Sequence, residues 1–146
     1  MITGFNHSGF VVENLEKMIT FYCDILGLSI TREIDSIAPA SGDHTGFTGA
    51  KRKLVFVGKP GTEHMLELVK YVEPISPEGH LNRNQLGAAH ICFNVSNIKT
   101  LYEKLKDNGT KFVTSPIFKV NPDGTQTAIC YLQDPEGNWI ELIQQN

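Results

Sequence analysis

His7-Ser8-Gly9-Phe10-Val11-Val12-Glu13-Asn14-Leu15 and His90-Ile91-Cys92-Phe93-Asn94-Val95-Ser96-Asn97-Ile98 are two versions of one segment. Histidine, phenylalanine, valine, asparagine and an aliphatic residue recur at offsets 0, 3, 5, 7 and 8. Each copy leads to a second matched segment, Met65-Leu66-Glu67-Leu68-Val69 in the first half and Trp139-Ile140-Glu141-Leu142-Ile143 in the second. The chain therefore repeats a histidine-bearing strand and a glutamate-bearing strand, which places two His and two Glu at equivalent positions.

Reading outward, residues 5–12 form a strand pattern and Asn14 is placed to cap a helix. Leu15, Met18, Ile19, Tyr22, Cys23 and Leu26 follow at helical spacing, and Gly27 is suited to the left-handed stop. Residues 28–34 read as a strand, 35–50 as a long Gly/Ser-rich loop, and 53–57 and 65–71 as two further strands. Pro74, Pro77 and Gly79 mark residues 72–86 as a linker. The plan then repeats, with a strand at 87–95, Ser96 or Asn97 as cap, and a helix presenting Ile98, Leu101, Tyr102 and Leu105. Asn108-Gly109 stops that helix, and strands follow at 111–113, 127–132 and 138–143. Asp134-Pro135-Glu136-Gly137-Asn138 is a turn in which proline fixes one φ and glycine permits a positive one. The expectation is one α+β domain of two tandem βαβββ modules, at about 1–71 and 87–146.

Bulk properties narrow the function. A chain of 146 residues with 40% hydrophobic content is ordinary for a globular domain. A net charge of −3 without a basic stripe gives no reason to expect nucleic acid. No apolar run approaches the ~18 residues of a membrane span, and residues 1–7 lack the features of a signal peptide. Cys23, Cys92 and Cys130 have no paired spacing, which suits a reducing compartment, and a cytoplasmic location is expected.

Alternation along a strand gives the chemistry its geometry. His7 shares a face with Gly9 and Val11, and His90 with Cys92 and Asn94. Glu67 shares one with Met65 and Val69, and Glu141 with Trp139 and Ile143. The opposite, helix-facing set (Phe10, Val12, Leu66, Leu68, Phe93, Val95, Ile140, Leu142) is wholly apolar. Glutamates embedded in Leu-Glu-Leu and Ile-Glu-Leu need a cation or partner. A divalent ion shared with two imidazoles supplies one, and this donor chemistry suits Ni, Co, Zn, Mn or Fe. Four protein ligands leave open positions in a five- or six-coordinate site, as catalysis requires. A duplicated pocket that binds a small molecule without metal is the alternative.

On these segments, together with Phe21-Tyr22, Leu26-Gly27-Leu28, Asp134-Pro135-Glu136-Gly137 and Ile140-Glu141-Leu142, the chain resembles the vicinal oxygen chelate superfamily. That superfamily includes glyoxalase I, methylmalonyl-CoA epimerase, extradiol dioxygenases and fosfomycin- and bleomycin-resistance proteins. The resemblance implies paired modules forming a cup-shaped mixed sheet around a metal, and a homodimer. It also implies His7, Glu67, His90 and Glu141 as ligands of one divalent transition metal, a set like that of the glyoxalase I and epimerase branches. Bacterial glyoxalase I has an arginine four residues after its first histidine, used to hold glutathione, and Val11 stands there in this chain.

The activity so implied is that of a metal-dependent lyase or isomerase of a small carbonyl substrate, working by α-proton abstraction and enediolate stabilisation. Glu141 is the candidate base with Glu67 as its partner; in the alternative, Glu141 only holds metal. An acyl-CoA epimerase taking a thioester, with Lys51, Arg52, Lys53 or Arg83 on CoA phosphates, is the enzymatic rival. A metal-free drug- or metabolite-binding resistance protein is the rival of another class. Cys92, Asn94 and Trp139 are candidate pocket residues, His64 and His80 are read as surface residues, and residues 35–50 as a lid or a plain loop.

Overall fold

The computed structural model describes residues 1–145. The chain folds as two compact units, one spanning Met1–Gly79 and the other starting at His80. The architecture is α+β, and each unit is a helix packed on one mixed sheet.

In the first unit, β1 (His7–Val11) leads to α1 (Leu15–Ile19), which continues as a π-helical segment, Thr20–Ile25. Three strands follow: β2 (Ser29–Ile37), β3 (Lys51–Gly58) and β4 (Met65–Glu73). The sheet order is β1-β4-β3-β2, with β1 parallel to β4 and the remaining pairs antiparallel. The Asn14 side chain accepts from the Lys17 amide at 3.0 Å and starts the helix. The π turn shifts the helical phase, closing through an i−5 bond from the Leu26 amide to the Phe21 carbonyl at 3.0 Å. Phe21 is thereby buried beside Met18 and Tyr22, which regular helical spacing does not anticipate. These side chains belong to the core that includes Leu66, Leu68, Val55 and Val57. Full burial of each such large apolar group is worth roughly 1.5–3 kcal/mol. Gly27, at φ +79°, ends the segment in the left-handed region that glycine takes without strain.

The second unit repeats the plan with β5 (His90–Asn94), α2 (Ile98–Asp107), β6 (Lys111–Phe112), β7 (Ile117–Val120), β8 (Gln126–Gln133) and β9 (Trp139–Gln145). Its order is β5-β9-β8-β6, with β7 also paired to β8 and β5 parallel to β9. Asn97 is the cap, accepting from the Thr100 amide at 3.0 Å. Ile98 and Leu105 of α2 and Ile140 and Leu142 of β9 are fully buried. β7 is the one strand that sequence patterning passes over. Ser115-Pro116 interrupts the edge strand, because proline gives no amide to the ladder, and two short pieces result.

The loop after β2 is shorter than patterning suggests, since β2 runs to Ile37 and β3 starts at Lys51. Its base is closed by the Ala38 amide donating to Ala50 at 2.8 Å, with both alanines buried. Its middle is anchored by an ion pair between Asp43 and Arg52. Among the described residues, no helix is long and apolar enough to cross a membrane.

Candidate metal centre

Parallel pairing sets the same diagonal in both units. On β1 and β4, His7 lies opposite Met65 and Gly9 opposite Glu67. On β5 and β9, His90 lies opposite Trp139 and Cys92 opposite Glu141. In each unit the histidine thus reaches a glutamate two residues further along the neighbouring strand, on the same face. His7 Nε2 is 3.4 Å from Glu67 Oε2, and His90 Nε2 is 3.1 Å from Glu141 Oε2. The glutamate side chains are 16% and 15% exposed, while the histidines reach the surface at 36% and 44%. Carboxylates so nearly buried, each facing an imidazole nitrogen, form a pair suited to a cation.

The residues fit a divalent ion. Two ligands about 2.1 Å from one ion, at the angles of tetrahedral or octahedral coordination, stand roughly 3.0–3.4 Å apart. Asn6 Oδ1 lies 2.7 Å from His7 Nδ1. With the proton on Nδ1, that contact leaves Nε2 as a free lone pair facing Glu67, the tautomer an outer hydrogen bond selects in metal sites. Among the described residues, however, no group of three or more His, Cys, Asp or Glu side chains is gathered to hold an ion. Each unit holds one His and one Glu side by side.

Each half-site has an aromatic wall. Phe56 on β3 lies opposite Glu67, and its ring meets His7 edge-on at 5.5 Å between centroids. Tyr131 on β8 lies opposite Glu141 and meets His90 in the same way at 5.3 Å. An arginine covers each ring: the Arg32 guanidinium is 4.0 Å from the Phe56 centroid, and that of Arg83 is 4.8 Å from the Tyr131 centroid. The Tyr131 hydroxyl donates to Glu141 Oε2 at 2.8 Å. Burial, then the bond to Glu141 and its charge, push the phenol up to about 12, so it keeps its proton at neutral pH. Burial and the Glu141 charge also raise the Cys92 thiol to about 11, which leaves it un-ionised at neutral pH.

The turn at 134–138 fixes the Tyr131–Glu141 register. Asp134 Oδ1 accepts from the amides of Glu136 and Asn138, both at 2.9 Å, and Oδ2 from the Asn138 side chain at 2.8 Å. Gly137 takes φ +90° to close it. A hairpin symmetric about Glu136 pairs residue 131 with residue 141. Counting strand positions back from that turn is the sequence signal that points to Tyr131.

Other expected residues are placed as follows. Trp139 donates from its indole to the Leu81 carbonyl at 3.0 Å and so anchors the segment before β5. Asn94 ends β5 and is exposed. His64 and His80 are surface residues, with Ser8 Oγ 3.0 Å from the His64 ring. The basic run does not offer three free cations. Lys51 pairs with Glu73 at 3.0 Å, Lys53 lies 4.0 Å from Asp35, and Arg52 is 5% exposed, bonded to Asp43 and Ser36. Arg52 shares the face of Phe56 and Glu67, and Phe47 packs against Tyr71 at 5.8 Å on that same face. The loop at 38–50 is thus docked on the far end of the sheet face that carries the His–Glu pair.

Residues 4–142 match the family model described as Glyoxalase/Bleomycin resistance protein/Dioxygenase superfamily. The chain belongs to that superfamily. A probable lactoylglutathione lyase of Synechocystis is 33% identical over 138 residues, 94% of this chain and 92% of that protein. A lactoylglutathione lyase of Schizosaccharomyces pombe is 29% identical over 97% of this chain, which spans 47% of that longer protein. The crystal structure of a glyoxalase family protein from Bacillus cereus superposes with a TM-score of 0.86, covering 99% of this chain and 95% of that one at 21% identity, which bears on the fold.

Proposed function

We propose that the protein is a metal-dependent lyase or isomerase of the glyoxalase type, acting on hemithioacetals of small α-keto aldehydes. The observation that carries this reading is the duplicated His–Glu pair, built twice with the same register and nearly the same donor spacing. Neither pair is a sufficient ligand set alone. His7, Glu67, His90 and Glu141 together supply four ligands to one divalent ion (Ni, Co, Zn, Mn or Fe), drawn from one chain or exchanged between two copies. The relatives named lactoylglutathione lyase support the reaction type.

When bound, such an ion supplies Lewis-acid stabilisation of negative charge on the carbonyl oxygens of the substrate. The chain's own groups do the rest. A carboxylate, Glu67 or Glu141, takes the proton α to the carbonyl and delivers it to the neighbouring carbon. Phe56 walls His7 and Tyr131 walls His90, each on one side. Val11, 55% exposed, puts an apolar side chain where bacterial glyoxalase I carries its glutathione-binding arginine. Selectivity for glutathione over other thiols is therefore expected to be weak.

The test is turnover after loading with each of the five metals. Hemithioacetals of methylglyoxal with glutathione and with simpler thiols are compared with an acyl-CoA thioester. Turnover of the hemithioacetals supports the proposal. Turnover of the CoA thioester alone overturns it.

A further inference from the structure

The face of the first sheet that carries His7 and Glu67 is laid out in rungs across its four strands. By register, Gly9, Glu67, Phe56 and Arg32 form one rung. The next is Val11, Val69, Leu54 and Ile34, and every member is aliphatic. Val11 is 55% exposed and Ile34 37%, while Leu54 and Val69 are half-buried. Beyond this rung the face is closed by Phe47 on Tyr71 and by Arg52, which is bonded to Asp43 and Ser36. The matched rung of the second unit is Asn94, Ile143, Ile129 and Ile117, with an amide side chain at the place of Val11. A wholly aliphatic rung beside the glutamate is thus a property of the first unit.

We infer that the Val11–Val69–Leu54–Ile34 rung holds the substituent on the substrate's sulfur, and that this substituent is an apolar chain or ring rather than an anionic peptide. The inference rests on the proposed function and names the class of thiol in its substrate. Four strands about 4.8 Å apart make a rung roughly 14 Å long, far more than the methyl group of a small α-keto aldehyde needs. The larger, thiol-derived part of the hemithioacetal fits that length. Successive side chains on one face of a strand stand roughly 7 Å apart, so a substrate held beside Glu67 meets the rung directly. Methylenes gain by leaving water against four aliphatic side chains, and a carboxylate placed there without a partner loses. The cations nearby do not belong to the rung. Arg52 has its anion in Asp43, and Arg32 lies in the Glu67 rung with its guanidinium 4.0 Å from the Phe56 centroid.

The experiment compares methylglyoxal hemithioacetals of ethanethiol, butanethiol, hexanethiol and glutathione, on metal-loaded wild type and on the double variant Val11→Ser/Ile34→Ser. A second readout titrates the S-ethyl and S-hexyl thioesters of lactate into the metal-free proteins by calorimetry. Both replaced side chains reach the surface, and thermal melts check that the variant folds. In wild type, kcat/KM and thioester affinity are expected to rise by up to about fourfold per methylene, with the hexanethiol adduct preferred to that of glutathione. In the variant both rises are expected to flatten. Turnover that ignores chain length, or that favours glutathione, overturns the inference and leaves the lyase or isomerase reading standing. A rise as steep in the variant as in wild type overturns the assignment to this rung. No turnover of any adduct, with thioester binding that rises with chain length and flattens in the variant, supports the rung and overturns the proposed function.

Discussion

The two halves of this protein are built on one plan, yet they surround their glutamates differently. His7 with Glu67 and His90 with Glu141 share register, face and a donor spacing of 3.4 and 3.1 Å. Beside Glu67 are Phe56 and Gly9; beside Glu141 are Tyr131 and Cys92. The shared features are one imidazole nitrogen and one carboxylate oxygen set side by side in each half. The differences lie in how tightly each carboxylate is held. The matched positions 9/92 and 56/131 give the two carboxylates unequal surroundings.

The largest effect expected from breaking the comparison is on turnover. Replacing either carboxylate, Glu67→Gln or Glu141→Gln, is expected to lower kcat/KM for the hemithioacetal by about 10²–10⁴-fold, the usual worth of a positioned acid–base group. Steady-state kinetics at saturating metal check this. Two independent half-sites, each turning over alone, would lose only about half the activity per substitution.

The next effect is on stability and is confined to the first half. Asp43→Ala leaves the buried Arg52 guanidinium, whose Nε already lacks a partner, without its carboxylate. A fall in Tm of about 5 °C is expected by calorimetry. Hydrogen bonds from the Thr45 hydroxyl and amide, with the Arg52 charge, hold the Asp43 carboxyl below the usual carboxylate range. A carboxyl lowered on folding adds stability above its unfolded pKa of about 3.9, and that stability is lost as pH falls through the folded value. The gap in Tm between wild type and Asp43→Asn is therefore expected to be full at pH 6 and to shrink as pH drops below about 4. A gap that does not change with pH would count against the ion pair as its source.

The smallest effect sharpens the contrast at positions 9 and 92. In Gly9→Ala the new Cβ must displace the Glu67 carboxylate by a few tenths of an ångström. Metal affinity is expected to weaken by less than about 10-fold, below the loss of a hydrogen-bonded outer partner. Cys92→Ala removes a side chain beside Glu141 without clash and is expected to change affinity less than Gly9→Ala. Chelator competition ranks the two.

Much of this was legible in the sequence because it follows from local periodicity. The repeat at His7 and His90, the caps at Asn14 and Asn97, and the stops at Gly27 and Gly109 are local signals, and the structure shows them. Alternation alone put His and Glu on the face opposite Leu66, Leu68, Ile140 and Leu142, all of which are buried. What local signals missed depends on contacts between distant residues. Arg52 reads as part of a solvated basic run because its partner, Asp43, lies in a loop without periodicity. Phe21 is buried by a π turn that shifts the helical phase. Ile117–Val120 is a strand only because β8 offers it a partner. Tyr131 meets Glu141 through antiparallel register, set by the turn around Glu136.

We propose that the two His–Glu pairs act together on one ion. Metal content by mass spectrometry, on wild type, Glu67→Ala and Glu141→Ala after reconstitution with Ni, Co, Zn, Mn and Fe, tests it most directly. The expected result is about one ion per chain in wild type and near-complete loss in both variants, since removing either glutamate breaks a shared four-ligand set. No bound metal in wild type, or two ions per chain with only one lost in each variant, would contradict it.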